Sequence, residues 1–488
     1  MKKFNFFVAF LFIYTGISAQ EFVRTDSVIS EEYKIWEFTE ESNPWEIHVI
    51  EIDLTKEDVL PRVVLANDLI SHNTFSETFK QTETLSSMID RKTDEGKEII
   101  GGINTDFFDM NTGMVFNVTA TGGQIASTGI TSTPHAGFYT DDEERPYIGL
   151  IDIRQTMVLD STESEIHGVN ENRTEDLLIV FNKFSGDEES SANQWGTELL
   201  LEPVEAINQI NGSFEYVVLK KDGKVSREDD AQIIASGHGA SSDFLLNASE
   251  GDTITITTSF EGVADSVAIV EMVGGWGHIV HEGANRAEES IDEEGSMSHE
   301  NERHPRSAVG LDKDKSKMFL VAVDGRSEHS AGMNLSELAD FMIQELGVEE
   351  GLNFDGGGST TLMSGSETIN HLSDGEQRAI PVALVVEGNI MTALLDFQEA
   401  EENVQIFPNP ASGHVTLEWD RDSRIGRFQE VFFQLYAPDG KMVWQEKLNG
   451  MNQKERVRID LPHAAPGQYF YSLRAGHTFI ASGKLIVQ

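Results

Sequence analysis

The chain has 488 residues, with 36 Lys+Arg against 83 Asp+Glu and a formal net charge of −47 at pH 7. That length allows two or three domains and a large core, while so acidic a surface disfavours nucleic acid and anionic membranes as partners. The chain has no cysteine, which excludes thiol catalysis, disulfides and thiolate metal sites.

Lys2 and Lys3 precede an apolar run from Phe6 to Ile13, followed by Gly16, Ser18 and Ala19. This is the pattern of a signal peptide over residues 1–19, cut after Ala19. The apolar run is too short to span a bilayer comfortably. No other stretch approaches that length, so the mature chain is expected to be exported and to have no membrane span.

Residues 20–397 read as one large domain or two tightly joined lobes. Trp45 to Ile52 alternates apolar and polar residues, as a half-buried strand does. Val63–Ala66, Leu177–Asn182 and Thr253–Thr258 look similar, and Ile99–Ile103 is a short buried strand ending at Asn104. The polar stretches 185–196 and 286–302 are expected to be loops, the second one mobile.

From residue 315 the texture changes. Lys317–Val323 reads as a buried strand, and a helix is expected from Leu335 to Leu346, with Leu335, Leu338, Ala339, Met342, Ile343 and Leu346 on one face. Asn334 and Glu337 have capping-box spacing, and Gly347 is a C-terminal stop. A strand ending at Phe354 follows, and Ile380–Val386 is a further one. The first two strands should be parallel with a right-handed crossover. Asp324 and Asp355 then fall on one sheet edge, where α/β sheets bind ligands. After Asp355 come Gly356, Gly357 and Gly358, then Ser359 and Thr360. Such a run allows close ligand approach and can form an anion-binding nest.

The stretch 398–403 is a junction. Residues 404–488 carry short, evenly spaced strands: Val415–Trp419, Val431–Tyr436, Met442–Gln445, Arg456–Leu461, Gln468–Arg474 and Lys484–Val487. Turn signals at Pro438-Asp439-Gly440 and Ala465-Pro466-Gly467 separate them. The expected fold is a small all-β immunoglobulin-like sandwich, with Trp419, Trp444 and Tyr469 alternating into its core.

Several other segments combine an apolar strand with polar residues: Asn104-Thr105-Asp106, Ser236-Gly237-His238-Gly239, Asp324-Gly325-Arg326 and His304-Pro305-Arg306-Ser307. Each has a plain structural explanation as well. Asp106 can cap a turn, His238 can be a hydrogen-bonded loop residue, Asp324 can pair with Arg326, and Arg306 can be a surface charge. Together they hold the inventory for a phosphorylated sugar: arginines for phosphate and carboxylic acids for the glycosidic carbon. A serine hydrolase is disfavoured because no Gly-x-Ser-x-Gly elbow stands near these segments. Asp312-Lys313-Asp314 lacks the remaining positions of a calcium loop.

The joint order of these segments resembles the phosphodiester glycosidase family, over about residues 45–388. Gly102 to Phe108, Ser236 to Gly239, His304 to Gly310, Val323 to Arg326, Gly332 to Ala339 and Asn353 to Thr361 carry the resemblance. It implies a secreted hydrolase that cleaves the glycosyl–phosphate bond of a sugar-1-phosphodiester or glycan and frees the sugar. Asp106, Asp324 and Asp355 would be the acid–base or nucleophile candidates, Arg306 and Arg326 would hold phosphate, and Asn104 and His238 would orient substrate. Gly356, Gly357, Gly358, Ser359 and Thr360 would bind sugar hydroxyls or phosphate oxygens. The expected class is an α+β or mixed α/β catalytic domain rich in β-strands, with a β-α-β unit near 317–355. No cofactor is required, and a divalent metal such as calcium is compatible with the acidic residues. The alternatives are a non-catalytic carbohydrate- or phosphate-binding surface protein and a metal-dependent phosphodiesterase. Two positions depart from the family pattern: Thr105 stands where a glycine is usual, and Gly274-Gly275-Trp276-Gly277-His278 replaces a glycine-proline run. Trp276 is either a sugar-stacking platform or a packing residue.

A second resemblance covers about the last 85 residues. Phe407-Pro408-Asn409-Pro410-Ala411, Tyr436 to Lys441 and Pro466 to Phe470 are similar to the C-terminal sorting domain of type IX secretion cargo. This implies export through the periplasm and outer membrane of a Bacteroidetes-type bacterium by the type IX machinery. The destination would be the medium or the cell surface.

Overall fold

The computed structural model describes residues 22–28, 33–40, 43–74, 77–131, 133–264, 266–295, 301–388, 404–419, 430–436, 442–449, 456–461, 465–475 and 478–488. The expected signal peptide, the junction and the Pro438-Asp439-Gly440 turn lie outside them. Sheet dominates and helices are few.

An eight-stranded sheet runs in the order Val23–Val28, Tyr33–Glu40, Trp45–Asp53, Lys317–Val323, Arg306–Leu311, Glu350–Phe354, Val280–His281 and Ala284–Asn285. Every neighbouring pair in it is antiparallel. A five-stranded sheet places Ile99–Asn104 between Leu362–Ser364 and Val382–Glu387. The facing sides of these sheets share one core, including Ile50, Ile52, Ile100, Ile103, Val309 and Leu384. Most of residues 119–274 forms a twelve-stranded sheet with its own core around Met157, Leu199, Ile254 and Met272.

The helix forms over Leu335–Leu346 as its periodicity predicts. Asn334 accepts the Glu337 N–H at 2.9 Å, and Glu337 returns the bond to the Asn334 N–H at 3.0 Å. Gly347 ends the helix in the left-handed region at φ 69°, a conformation that costs glycine little. Leu335, Leu338, Ala339 and Met342 bury against Ile47, Val49, Val321 and Val323 on the outer face of the eight-stranded sheet.

The expected β-α-β unit needs one correction. Lys317–Val323 and Glu350–Phe354 do run in the same direction, but they are not neighbours. Arg306–Leu311 lies between them and is antiparallel to both. A second correction concerns 286–302. Ala287–Glu294 is a helix, and Glu294 is buried, its carboxylate accepting the N–H groups of Ala136, Gly277 and His278. These bonds offset its burial cost. The Asp312 carboxylate accepts the Ser316 hydroxyl and the Lys317 N–H, so Asp312-Lys313-Asp314 serves a hairpin turn.

Near the C-terminus, Val404–Phe407, His414–Trp419 and Arg456–Asp460 form one sheet. Met442–Asn449, Glu430–Tyr436, Gly467–Ala475 and Thr478–Val487 form another. Both feed a common core that buries Trp419, with Trp444 and Tyr469 packed against it.

Candidate active site

Strand register brings the acidic residues together. Arg306 pairs with Val323 and Ser307 pairs with Phe354. One residue past those pairs stand Asp324 and Asp355, on the same sheet edge and on either side of the entry to the Arg306 strand. The Gly325 and Gly356 loops both pack on Pro305, and the Gly357 N–H donates to the Pro305 carbonyl at 2.9 Å.

Asn104 staples the two sheets at this edge. Its Nδ2 donates to the Asp355 carbonyl at 2.6 Å, while its Oδ1 accepts the Ser307 hydroxyl at 2.7 Å and the Thr361 N–H at 3.0 Å. It therefore holds the framework, and its amide oxygen is fully engaged. The Asp355 N–H donates to the Thr105 carbonyl at 2.8 Å, which sets Asp355 beside Asp106. Thr105 itself is buried and donates its hydroxyl to Val382.

Asp106 is buried, with Oδ2 accepting the Asn117 N–H at 2.9 Å and Oδ1 accepting Asn117 Nδ2 at 2.6 Å. Burial nevertheless pushes its pKa up to about 7, with the Asp355 charge adding to the rise. Asp355 is raised to about 6, again by burial, against the pull of the Ser359 hydroxyl and the Arg378 charge. Asp355 retains some solvent exposure. Asp324 is buried; its carboxylate meets His48 Nε2 at 3.1 Å and accepts the His371 N–H at 2.9 Å. Burial works against a proton on His48, yet the Asp324 bond and charge prevail and raise its pKa.

Arg306 is buried, donating Nε to the Met333 carbonyl and Nη2 to the Glu302 carbonyl, each at 2.9 Å. Burial first, and the charge of Arg326 second, lower it to about 10. Two guanidiniums close enough to repel make an electropositive spot suited to phosphate. Arg326 is exposed and reaches His304 Nδ1 at 3.2 Å, with its own backbone left-handed at φ 59°. That conformation is strained for a side-chain-bearing residue. The proposed Asp324–Arg326 pair is thus replaced by Asp324–His48 and Arg326–His304.

The glycine run serves packing more than a nest. Gly357 has φ 62°, and an added Cβ would lie 2.9 Å from Arg326 Nη2; at Gly356 it would lie 2.6 Å from the Pro305 carbonyl; at Gly358 it would strike Arg378 and Asp374. The N–H groups of Gly357, Ser359 and Thr360 all donate to main-chain carbonyls. The Ser359 hydroxyl receives Arg378 Nη1 at 3.1 Å. The Thr360 hydroxyl is buried and unpartnered.

Against this geometry stand the similarities to known proteins. Residues 204–387 match the family model described as phosphodiester glycosidase, and residues 405–488 match the secretion system C-terminal sorting domain. The phosphodiester glycosidase match is thus confined to residues 204–387. The chain is secreted or held at the cell surface, as its type IX sorting domain indicates. Among the described residues no helix is long and apolar enough to cross a membrane. The SPbeta prophage-derived uncharacterized protein YomE of Bacillus subtilis (strain 168) is 34% identical over 86 residues, spanning 18% of this chain and 13% of that relative. A hypothetical protein from Synechocystis aligns with TM-score 0.57 and 16% identity, over 76% of this chain and 64% of its own. An exported protein from Burkholderia pseudomallei aligns with TM-score 0.52 and 18% identity, over 70% and 74%. These two alignments support the fold.

The matched segment contains His238, Arg306, Arg326 and Asp355 but begins after Asn104 and Asp106. Those two join it through the Asn104 staple and the Thr105–Asp355 bond. No described contact links His238 to Asp106, Asp324 or Asp355. His238 follows a strand of the twelve-stranded sheet, and its carbonyl accepts the Asp176 N–H. Sequence reasoning missed His48, Arg378, Asn117 and His135. Asn117 Oδ1 lies 2.7 Å from His135 Nδ1, and the His135 ring stacks on Trp276 at 4.3 Å. Trp276 also makes an edge contact with Phe107 and joins the core, which favours its packing reading. His48 gave no signal in the sequence, because in the alternation of Trp45–Ile52 it falls on the face of Glu46, opposite Trp45, Ile47 and Val49.

Proposed function

We propose that the chain is a secreted hydrolase that cleaves the glycosyl–phosphate bond of sugar-1-phosphodiesters. Water adds to the anomeric carbon, the bond from that carbon to the phosphate oxygen breaks, and a phosphomonoester leaves. The observation that carries this reading is the Thr105–Asp355 main-chain bond. It sets side by side two carboxyl groups raised to about 7 and about 6, at the edge where Arg306 and Arg326 gather positive charge.

Environment divides the two carboxyls. Asp355 ionises first, and its charge helps Asp106 keep a proton. Near neutral pH the pair is then one carboxylate and one acid, the complement that glycosidic cleavage uses. Asp355, the more open of the two, acts at the anomeric carbon; Asp106 holds the proton. Arg306 and Arg326 stabilise the charge on the departing phosphate. Asp324, braced by His48, orients the edge.

A metal-dependent phosphodiesterase is the second reading, because Glu46, His48 and Asp324 present ligand atoms within 4.8 Å of one another. Product analysis narrows the readings: sugar phosphate arises only by attack at phosphorus, whereas for free sugar the position of the water oxygen must also be read. The purified chain is incubated with a panel of sugar-1-phospho-methyl diesters. Free sugar plus methyl phosphate is expected. Sugar phosphate plus methanol would favour the second reading, and no turnover across the panel would favour a binding protein.

A further inference from the structure

The opposite end of the Glu350–Phe354 strand carries a cluster that the proposed reaction leaves unused. Val280–His281 pairs antiparallel with this strand at Val280 and Gly351. That register sets His281 directly across from Glu350. His278 folds back onto the same carboxylate. His278 Nε2 lies 2.7 Å and His281 Nδ1 2.9 Å from Glu350 Oε2, with the two rings 4.9 Å apart. The ligand atoms of the trio lie within 4.8 Å of one another. Side-chain exposures of 17%, 43% and 19% for His278, His281 and Glu350 leave the cluster open to solvent.

We propose that His278, His281 and Glu350 bind a divalent transition-metal ion of the zinc, cobalt and nickel class. Two imidazoles and one carboxylate are the donor set those ions favour, with water completing the coordination. Calcium and magnesium prefer oxygen ligands throughout. The acidic surface raises the local concentration of any cation. The site acts as a clip. The N–H groups of Gly277 and His278 both donate to Glu294, and Trp276 comes just before them. An ion joining His278 and His281 to Glu350 fixes this segment to the strand that ends beside Asp355. It takes no part in bond cleavage.

The test uses the full untagged chain, stripped with chelator, dialysed and titrated with cobalt(II) chloride. Calorimetry and visible absorption are recorded together. The expected result is one ion per chain with a d–d band characteristic of nitrogen ligation. Affinity should fall about tenfold or more in His281→Ala and in Glu350→Gln. His281 is the most exposed ligand, so its variant keeps a folded comparison available by circular dichroism. Equal cobalt affinity in wild type and a folded His281→Ala variant overturns the proposal. So does a wild-type spectrum showing all-oxygen ligation, whether or not the variants fold.

Discussion

Asp355 and Asp106 make the sharpest residue-level predictions. Activity should require Asp355 ionised and Asp106 protonated. With pKa values of about 6 and about 7, the profile of kcat/KM against pH should be a narrow bell centred between them. Asp106→Asn should remove its alkaline limb. Asp355→Asn should lower kcat by roughly 10²–10⁴-fold with the circular dichroism spectrum unchanged. Arg326→Ala should lower kcat/KM on phosphodiesters, read from initial rates, because an exposed guanidinium that reaches His304 is lost without a core defect. Asp324, Asp355 and Arg306 were legible because each stands at a strand end beside glycine or proline. Asn117 and Arg378 were not. Asn117 gains meaning only through Asp106, and Arg378 only through Ser359 and the charge of Asp355. His238 looked equivalent in sequence, and its described main-chain contact is to Asp176, next to the twelve-stranded sheet.

At the scale of elements, local chemistry was read correctly where it was self-contained. The Leu335–Leu346 helix has its stripe, its capping box and its glycine stop within one stretch of sequence, and all three form. Asn334→Ala should cost about 1 kcal/mol, measured by urea denaturation. Gly357→Ala should cost more than that and depress activity, since it combines a positive φ with a clash against Arg326. The direction of the Lys317–Val323 and Glu350–Phe354 strands was also legible, because a helical crossover returns the chain the same way. Their separation was not. It depends on the hairpin partner Arg306–Leu311 inserting between them, a long-range choice that periodicity does not encode. The Ala287–Glu294 helix was missed because its sequence is acidic throughout, and its one buried carboxylate finds donors in distant segments.

At the scale of the whole molecule, the twelve-stranded sheet was the least legible part. Its strands pair across long sequence distances, and several are too short or too polar to announce themselves. The C-terminal strands were clear because turn residues punctuate them evenly. The buried acids make a prediction about the whole fold. Asp106, Glu171 and Glu271 are raised to about 7 and Asp355 to about 6, burial being the largest cause in each. A carboxyl raised in the folded state contributes stability that is present below its unfolded value and lost as pH rises through the folded one. His48, also raised, acts in the same direction, while His72 and His135, lowered chiefly by burial, oppose it. The four acids with His48 outnumber the opposing pair. The melting temperature should therefore be lower at pH 8 than at pH 5.5, as read by thermal circular dichroism; a rise would show that these carboxyls are not buried as described.

The bond that breaks distinguishes a glycosidase from a phosphodiesterase. Free sugar and a phosphomonoester can arise by cleavage on either side of the bridging oxygen, so hydrolysis in ¹⁸O-labelled water is the direct measurement. Cleavage at the anomeric carbon predicts methyl phosphate without label by mass spectrometry. Label in the methyl phosphate would place the attack at phosphorus and contradict the assignment of Asp355 to the sugar.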